Sequence, residues 1–574
     1  MSSSEQQRDE LAPASLHRNE RIKTASNFLR GTIKEGLEAP LTGSIAEDDT
    51  QLTKFHGLYL QDDRDLRPER RKKRMEPAYS FMARVRLPGG IATPDQWLRM
   101  DKIANELANG TLKITTRQTW QFHGLIKQNL KSAFKAIDQA CLDTLAACGD
   151  VNRNVLASAN PEFSRAHAAA ADLATRISTH LLPRTSAYRE LWLDGERVVG
   201  QDPVDHEPVY GQTYLPRKFK AVVAVPPDND VDVFAHDLGF VAILGDDGEV
   251  LGWNVTVGGG MGMTHGDAAT FPRTADVMAF CTTEQALDVA EQVVTTQRDF
   301  GDRTERKHAR LKYTIEDRGL PWFRAEVERR LGYALEDPRP MAFTRTGDRY
   351  GWREDHAGNW HYTLFVEGGR VRDLPGRPLM TGLREIAKVH RGDFRLTANQ
   401  NLIIANIRPE DRERIEGLLR EHGLSNEGLS GLRRNAVACV ALPTCGLSLA
   451  ESERYMPKLV DALDEVLDEA GLRQDEIVIR MTGCPNGCAR PFLAEIGLVG
   501  RGPGTYNLYL GAAFDGTRLN KLHRQDVGHD AIVSELRPLF HAYAKEREDG
   551  ERFGDFVVRT GVVRPTLAGR EFHA

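Results

Sequence analysis

The sequence predicts an α+β fold of mixed α/β modules, duplicated about a pseudo-twofold axis. Three observations carry that prediction. At 574 residues the chain exceeds what a single hydrophobic core supports, so several domains are expected. From residue 79 onward, short apolar runs alternate with stretches of helical periodicity, as packed layers of sheet and helix require. An ordered set of motifs also occurs twice. Leu87-Pro88-Gly89 recurs as Leu374-Pro375-Gly376, Lys113-Ile114-Thr115-Thr116-Arg117-Gln118 as Arg395-Leu396-Thr397-Ala398-Asn399-Gln400, and Arg153-Asn154 as Arg434-Asn435, at separations of 287, 282 and 281 residues. Each copy reads strand, helix, strand, helix, then a larger module, and an axis between two such copies leaves a central crevice for a large ligand.

Residues 1–74 are polar, with little periodicity, and end in the basic run Arg67 to Arg74. They read as an extended, partly disordered arm, with partner docking as the alternative. Globular structure is expected from residue 79. Leu130, Phe134, Ile137, Cys141 and Leu145 fall at helical spacing before Gly149, which makes Cys141 a core residue. Cys148 and Cys281 are read as structural too. Lys218 and Lys220 alternate around Phe219, which places both on one side of a strand. The apolar run Asn254 to Val257 leads into Gly258-Gly259-Gly260, a turn whose backbone can approach a flat ligand closely. Leu459, Leu463, Val466 and Leu467 form one face of a helix that Gly471 ends.

The 76 basic and 82 acidic residues leave a net charge of −6, which argues against a nucleic-acid or membrane-surface binder. The first residues lack an apolar core of signal-peptide type, and there is no run of 18 apolar residues, so a soluble, cytoplasmic chain is expected. No glycine-rich nucleotide loop stands between a strand and a helix. A reductant would therefore come from another polypeptide.

Four of the seven cysteines lie within 50 residues of one another. Cys439 and Cys445 are spaced C-x5-C, and Cys484 and Cys488 C-x3-C, with the helix around Leu463 between the pairs. Four thiolates select zinc or an iron–sulfur cluster. The C-x5-C spacing is wider than a usual zinc knuckle, which favours the cluster over zinc, with unliganded core cysteines as the third reading.

At these residues the chain resembles the sirohaem and [4Fe-4S] nitrite and sulfite reductase family, and within it the haemoprotein (beta) component of the NADPH-dependent assimilatory sulfite reductases. The resemblance runs from Ser26 to Phe556. It is carried by Thr482 to Cys488, Thr116-Arg117-Gln118-Thr119, Gln121-Phe122-His123-Gly124, and Gly211 to Lys220. It implies ferredoxin-like halves over 75–148 and 341–425, forming one central domain, and larger α/β sirohaem-binding modules over 149–340 and 426–574. It implies a [4Fe-4S] cluster on Cys439, Cys445, Cys484 and Cys488, with the Cys488 thiolate also the axial ligand of the sirohaem iron. Lys113, Arg117, Gln121, His123, Gln400 and Asn401 would meet the macrocycle, joined by Lys307, Arg310, Lys312 and Arg490. Arg84, Arg153, Lys218 and Lys220 would hold sulfite and deliver protons. Taken singly, each of these cations reads more readily as a solvated surface charge, and only the motif context reverses that reading.

The implied activity is the six-electron reduction of sulfite to sulfide, in sulfate assimilation and cysteine biosynthesis, with electrons from an NADPH-oxidising FAD/FMN flavoprotein (alpha) component. A ferredoxin-dependent sulfite or nitrite reductase is the alternative. Lys220, where related nitrite reductases carry an amide, favours sulfite. A zinc-stabilised nucleic-acid binder is the remaining reading, against which the acidic charge speaks. No cysteine adjoins Arg153 to Ala157 in sequence, so no tyrosine–cysteine link is expected there.

Overall fold

A computed structural model describes residues 15–160, 164–185, 191–193, 196–199 and 207–574. The duplication is visible in its sheets. One half-sheet runs, from edge to edge, Leu58–Asp62, Tyr79–Arg84, Trp120–Leu125, Leu112–Ile114 and Arg370–Val371. The other runs Gly351–Glu354, Trp360–Leu364, Leu402–Ile407, Asp393–Leu396 and Ile91–Ala92. Every pairing in both is antiparallel.

The last strand of each half-sheet comes from the other copy, so the halves are interlocked rather than merely abutted. The exchange depends on Gly90 and Gly369, each with positive φ just before the exchanged strand. A Cβ there would lie 2.4 Å from the Leu396 carbonyl oxygen or 2.3 Å from that of Ile114, so a side chain at either position would push the exchanged strand off its partner. This also corrects one of the repeat matches. The counterpart of Pro88-Gly89-Gly90 is Glu367-Gly368-Gly369, whereas Leu374 is exposed in a small hairpin between Asp373–Leu374 and Arg377–Pro378. Leu-Pro-Gly is a common turn tripeptide, and its recurrence here is coincidental.

Helix Pro94–Glu106 begins at a reciprocal Thr93–Gln96 capping box and buries Trp97, Met100, Ile103 and Ala104. Its counterpart, Leu379–Val389, buries Leu383, Ile386 and Ala387 in the same core. Trp97 stacks on Phe394 of the other copy with ring centroids 4.9 Å apart. One continuous core thus serves both halves.

The two larger modules repeat a second pattern. Leu156–Ala157, Ala221–Ala224 and Leu238–Leu244 pair in parallel, and Val250–Val257 and Asp276–Cys281 follow antiparallel. Ala436–Ala438, Ile479–Thr482, Ile496–Gly502, Thr505–Leu510 and Lys521–Val527 do the same in the same order. Helices Ser164–His180 and Ala286–Phe300 pack with the first sheet, and Met456–Ala470 and His529–Glu546 with the second. Gly471 ends the helix Met456–Ala470 in the left-handed conformation, as its sequence predicts.

The expectation of an extended arm over 1–74 is corrected for residues 15–74; residues 1–14 lie outside the described residues. Leu58–Asp62 is a strand of the first half-sheet, and helix Arg18–Ala25 buries Glu20 and Lys23, each 2% exposed. Those two pair with each other at 2.6 Å, and Arg303 also bonds Glu20. Mutual neutralisation lets charged residues sink into the protein, and a reading based on apolar periodicity passes over them. Cys141 is also corrected. The helix stops at Asp138, and Cys141 follows in a left-handed turn, exposed. Cys148 and Cys281 are buried as expected.

Candidate active site: four cysteines beside a cationic cleft

Two adjacent parallel strands of the second module aim their C-terminal loops at the same place. Cys439 and Cys445 follow Ala436–Ala438, and Cys484 and Cys488 follow Ile479–Thr482. The outer ends of parallel strands are where such sheets place their ligands. The Cys439 backbone N–H donates to the Met481 carbonyl at 3.2 Å, and the Gly483 N–H donates to Cys439 Sγ at 3.3 Å. Asn486 Nδ2 donates to Cys484 Sγ at 3.5 Å. Gly487, at φ +65°, lets the second loop pass Met261, whose carbonyl oxygen would lie 2.6 Å from any Cβ.

Burial raises the Cys439, Cys445 and Cys484 thiols, Cys484 to about 12, and the charge of Cys488 adds to the effect on all three. These three thiols therefore lie within the field of Cys488 and hold their protons until a metal group compensates the charge. Among the described residues no three His, Cys, Asp or Glu side chains stand close enough to hold one metal ion. Four soft thiols on two neighbouring loops suit a soft metal group.

A cleft lined by cations opens beside them, and both copies contribute. Arg84 and Gln121 are register partners on neighbouring strands of the first half-sheet. With the amide oxygen of Gln121 turned toward the guanidinium, Arg84 Nε donates to it at 3.0 Å. Arg153 bonds the Gly149 carbonyl at 3.1 Å. Lys218 and Lys220 flank buried Phe219 in the segment leading to the strand Ala221–Ala224, not on a strand as the alternation predicts.

Burial lowers Lys218 to about 7, with repulsion from Arg217, Arg310 and Arg153 adding to it, while Cys488 acts the other way. Lys220 is held far below the ordinary lysine value by burial, then by Lys218, Arg117 and Arg310. Neither lysine forms an ion pair among the described residues. Arg117, 6% exposed, is lowered by burial and then by Arg490, Arg153 and Arg84. Arg117 Nε, Asn152 Oδ1 and Thr482 Oγ1 are buried without hydrogen-bond partners. Lys218 and Lys220, gathered without ion-pair partners among the described residues, and the unmet Arg117 Nε donor suit anions. The donor set fits a carboxylate-rich macrocycle together with a small oxyanion.

The other sequence-predicted residues divide. Arg490 sits on the pseudo-twofold axis, bonding the Thr116 carbonyl at 3.1 Å in one copy and that of Ala398 at 2.8 Å in the other. It is paired with Asp232, which also takes Arg480 at 2.6 Å. Arg310 is held by Asp237 at 2.8 Å, and Lys312 by carbonyls of the Gly260 loop, including that of Gly262 at 2.7 Å. Gln400 accepts from the Ala438 N–H at 3.2 Å, as Gln118 accepts from Ala157 at 3.0 Å in the first copy. Asn401 bonds Asp348 and Tyr350, both at 2.8 Å.

Lys113 is 1% exposed and bound to Glu453 at 2.8 Å, and His123 is buried close to this pair. Lys307 is exposed and only loosely paired with Asp267 at 3.5 Å. The sequence reading missed Asp232 and Asp237. Asp232 occupies the first-copy position equivalent to Arg490, with the same left-handed backbone, so the duplication carried the signal. It also missed that Cys148, five residues before Arg153, hydrogen-bonds Tyr59, which in turn bonds Arg153.

Comparison with known proteins agrees with this geometry. The profile described as "Nitrite/Sulfite reductase ferredoxin-like half domain" matches residues 73–140 and 353–422, one match on each half-sheet. The profile "Nitrite and sulphite reductase 4Fe-4S domain" matches residues 173–335. The chain belongs to the nitrite and sulphite reductase family. Its 4Fe-4S domain match covers the first module, and the four cysteines stand in that module's structural repeat.

Among family members, the sulfite reductase [NADPH] hemoprotein beta-component of Methylobacterium nodulans is 62% identical over 561 residues, covering 98% of this chain and 93% of the relative. That of Anoxybacillus flavithermus is 60% identical, covering 96% and 97%. The solved structure of the Mycobacterium tuberculosis NirA protein superposes with a TM-score of 0.76 at 26% identity, covering 95% of this chain and 97% of that one. No helix among the described residues is long and apolar enough to cross a membrane.

Proposed function

We propose that this chain is the haemoprotein component of an assimilatory, cytoplasmic sulfite reductase. In the reaction, bisulfite takes six electrons and six protons and leaves as hydrosulfide and three waters. The observation that carries the proposal is the convergence of Arg84, Arg153, Lys218 and Lys220 on a cleft beside four cysteines, in a chain 62% identical to a named sulfite reductase beta-component.

Cys439, Cys445, Cys484 and Cys488 would hold the cluster, with Cys488 shared with the sirohaem iron. Arg117 and Arg490 would meet the carboxylates of the macrocycle, with Lys113, Gln121, His123, Gln400, Asn401, Lys307, Arg310 and Lys312 as further contacts by resemblance. When bound, the sirohaem would supply an iron centre for the reduction, and with the cluster it would pass on the donor's electrons. The chain's own residues do the rest. The planar forks of Arg84 and Arg153 orient the oxyanion. Lys218, near pH 7 in its titration, gives up and regains a proton at Nζ as each oxygen leaves. Arg153, whose guanidinium stays charged, keeps the cleft cationic when a proton has been given, and Lys220, depressed by burial and by Lys218, is a second group able to release one.

The electron donor in this reading is a separate NADPH-oxidising FAD/FMN flavoprotein. The test is the absorption spectrum and sulfide output of the purified chain beside Cys488→Ser. A Soret band and broad iron–sulfur absorption in the wild type, with sirohaem and sulfide production lost in C488S, are expected. Full retention of both in C488S ends the proposal.

A further inference from the structure

The loop that carries Cys445 also shows apolar side chains to solvent. Leu447 is 69% exposed and Leu449 is 42% exposed, while Ser448 between them turns inward and donates to the Ala450 carbonyl at 2.7 Å. The inward serine fixes the loop, so the outward leucines are held in place. The stretch before the basic run is fastened to the same loop. Arg64 donates its backbone N–H to the Pro443 carbonyl at 3.2 Å and its guanidinium to the carbonyls of Cys445 at 3.1 Å and Ser448 at 2.6 Å. Asp65 takes Arg454 at 2.7 Å.

From there Leu66, 42% exposed, leads into helix Arg67–Lys72, and Met75, 49% exposed, follows it. On this segment Arg67 is held by Asp62, Lys73 by Glu69, and Arg70 by the Glu76 carbonyl. Arg71, Lys72 and Arg74 are exposed and form no ion pair among the described residues. The loop with the outward leucines is thus fastened, through Arg64 and Asp65, to the segment that carries these exposed basic side chains.

We propose that this face, Leu447 and Leu449 with the rim of Arg71, Lys72 and Arg74, receives the acidic, flavin-bearing surface of the electron donor, a surface deduction that rests on the donor reading above. Exposed apolar side chains held rigidly mark an interaction site, and electron-transfer encounters are small, with unlike charges steering them. The position serves the chemistry, because Cys445 belongs to the cluster and the donor would sit against its loop. In each encounter one electron leaves the partner's reduced flavin and enters on the cluster side, and NADPH later restores the flavin. The charge of the rim selects an acidic partner over nucleic acid only in combination with the leucines, since a nucleic-acid site would not keep aliphatic side chains at its centre.

The test compares wild type, the triple variant R71E/K72E/R74E and the separate variant L447Q, all as cofactor-loaded enzyme. Sulfite turnover is measured against rising concentrations of the flavoprotein with NADPH at low and high salt, and in parallel with dithionite-reduced methyl viologen. The triple variant is expected to need about ten times more flavoprotein for half-saturation at low salt and to lose its salt dependence. L447Q should raise half-saturation at both salt concentrations. Both variants should match wild type with methyl viologen. Wild-type half-saturation in both variants overturns the surface assignment alone, as does a change in oligomeric state without a change in half-saturation. Wild type that turns over with methyl viologen but never with the flavoprotein overturns the donor reading, and this proposal with it.

Discussion

Glu453 joins the first repeat to the cysteine loop, and its charge should be worth roughly 3 kcal/mol to the fold. Its carboxylate takes Lys113 Nζ at 2.8 Å and Arg370 Nε at 2.7 Å, and its N–H donates to the Cys439 carbonyl at 3.0 Å. Burial opposes the charge, yet Lys113 and Arg370 outweigh it and carry the carboxyl from 4.5 down to about 2. That gap, at about 1.36 kcal/mol per pH unit, gives roughly 3 kcal/mol at pH 7. Because the folded value is the lower one, the contribution is complete above about pH 4.5 and fades as pH falls through about 2. At pH 3 it has shrunk to about 1 kcal/mol.

The perturbation is Glu453→Gln, which leaves Lys113, 1% exposed, with only the Gly368 carbonyl. Removing one partner of a buried pair typically costs ~3–5 kcal/mol, in line with the figure above. Urea unfolding at pH 7 and pH 3 measures it. The variant should unfold at clearly lower urea at pH 7 and nearly with the wild type at pH 3, and Lys113→Met added to E453Q should recover most of the loss at pH 7. Equal midpoints at pH 7, or an equal deficit at both values, would refute the reasoning.

Three further outcomes are expected. The KM for sulfite should rise as pH climbs above about 7, where Lys218 loses the proton that holds the anion, and Lys218→Arg should keep the profile flat to higher pH; a flat wild-type profile counts against the assignment. Gly487→Ala forces a Cβ to within 2.6 Å of the Met261 carbonyl, so iron per chain and the Soret band should both fall, and unchanged iron content would show that the loop relaxes freely. Arg153→Ala should cut sulfite turnover by ~100-fold or more, while Lys388→Ala, at an exposed helix position, should stay within about twofold of wild type. Similar losses in both variants would mean that the cleft is drawn in the wrong place.

The duplication was legible in the sequence because register is strict where two faces are buried. Gln118 and Gln400 both turn back to the last residue of a module's first strand, Ala157 and Ala438, and a backbone that needs the same bond twice keeps the same residue twice. The Leu-Pro-Gly match failed because a turn tripeptide answers only to its own local geometry. The four cysteines were legible for a chemical reason, since no other side chain replaces a thiolate on a soft metal group.

The amino-acid sequence by itself thus determined the fold class, the repeat and the cysteine set, while the cations proposed for the site came only through the family resemblance. Periodicity, spacing and residue chemistry are local properties and survive in one dimension. Only the tertiary structure decided the strand exchange through Gly90 and Gly369, the burial of Glu20 and Lys23, and which cations remain free. Lys113 and Lys218 look alike as letters, yet one is neutralised by Glu453 and the other lies among Arg217, Arg310 and Arg153 with no ion pair among the described residues. A side chain's charge is written in the sequence, but its partner is fixed by residues hundreds of positions away, and the partner determines whether that charge holds the fold together or waits for a ligand.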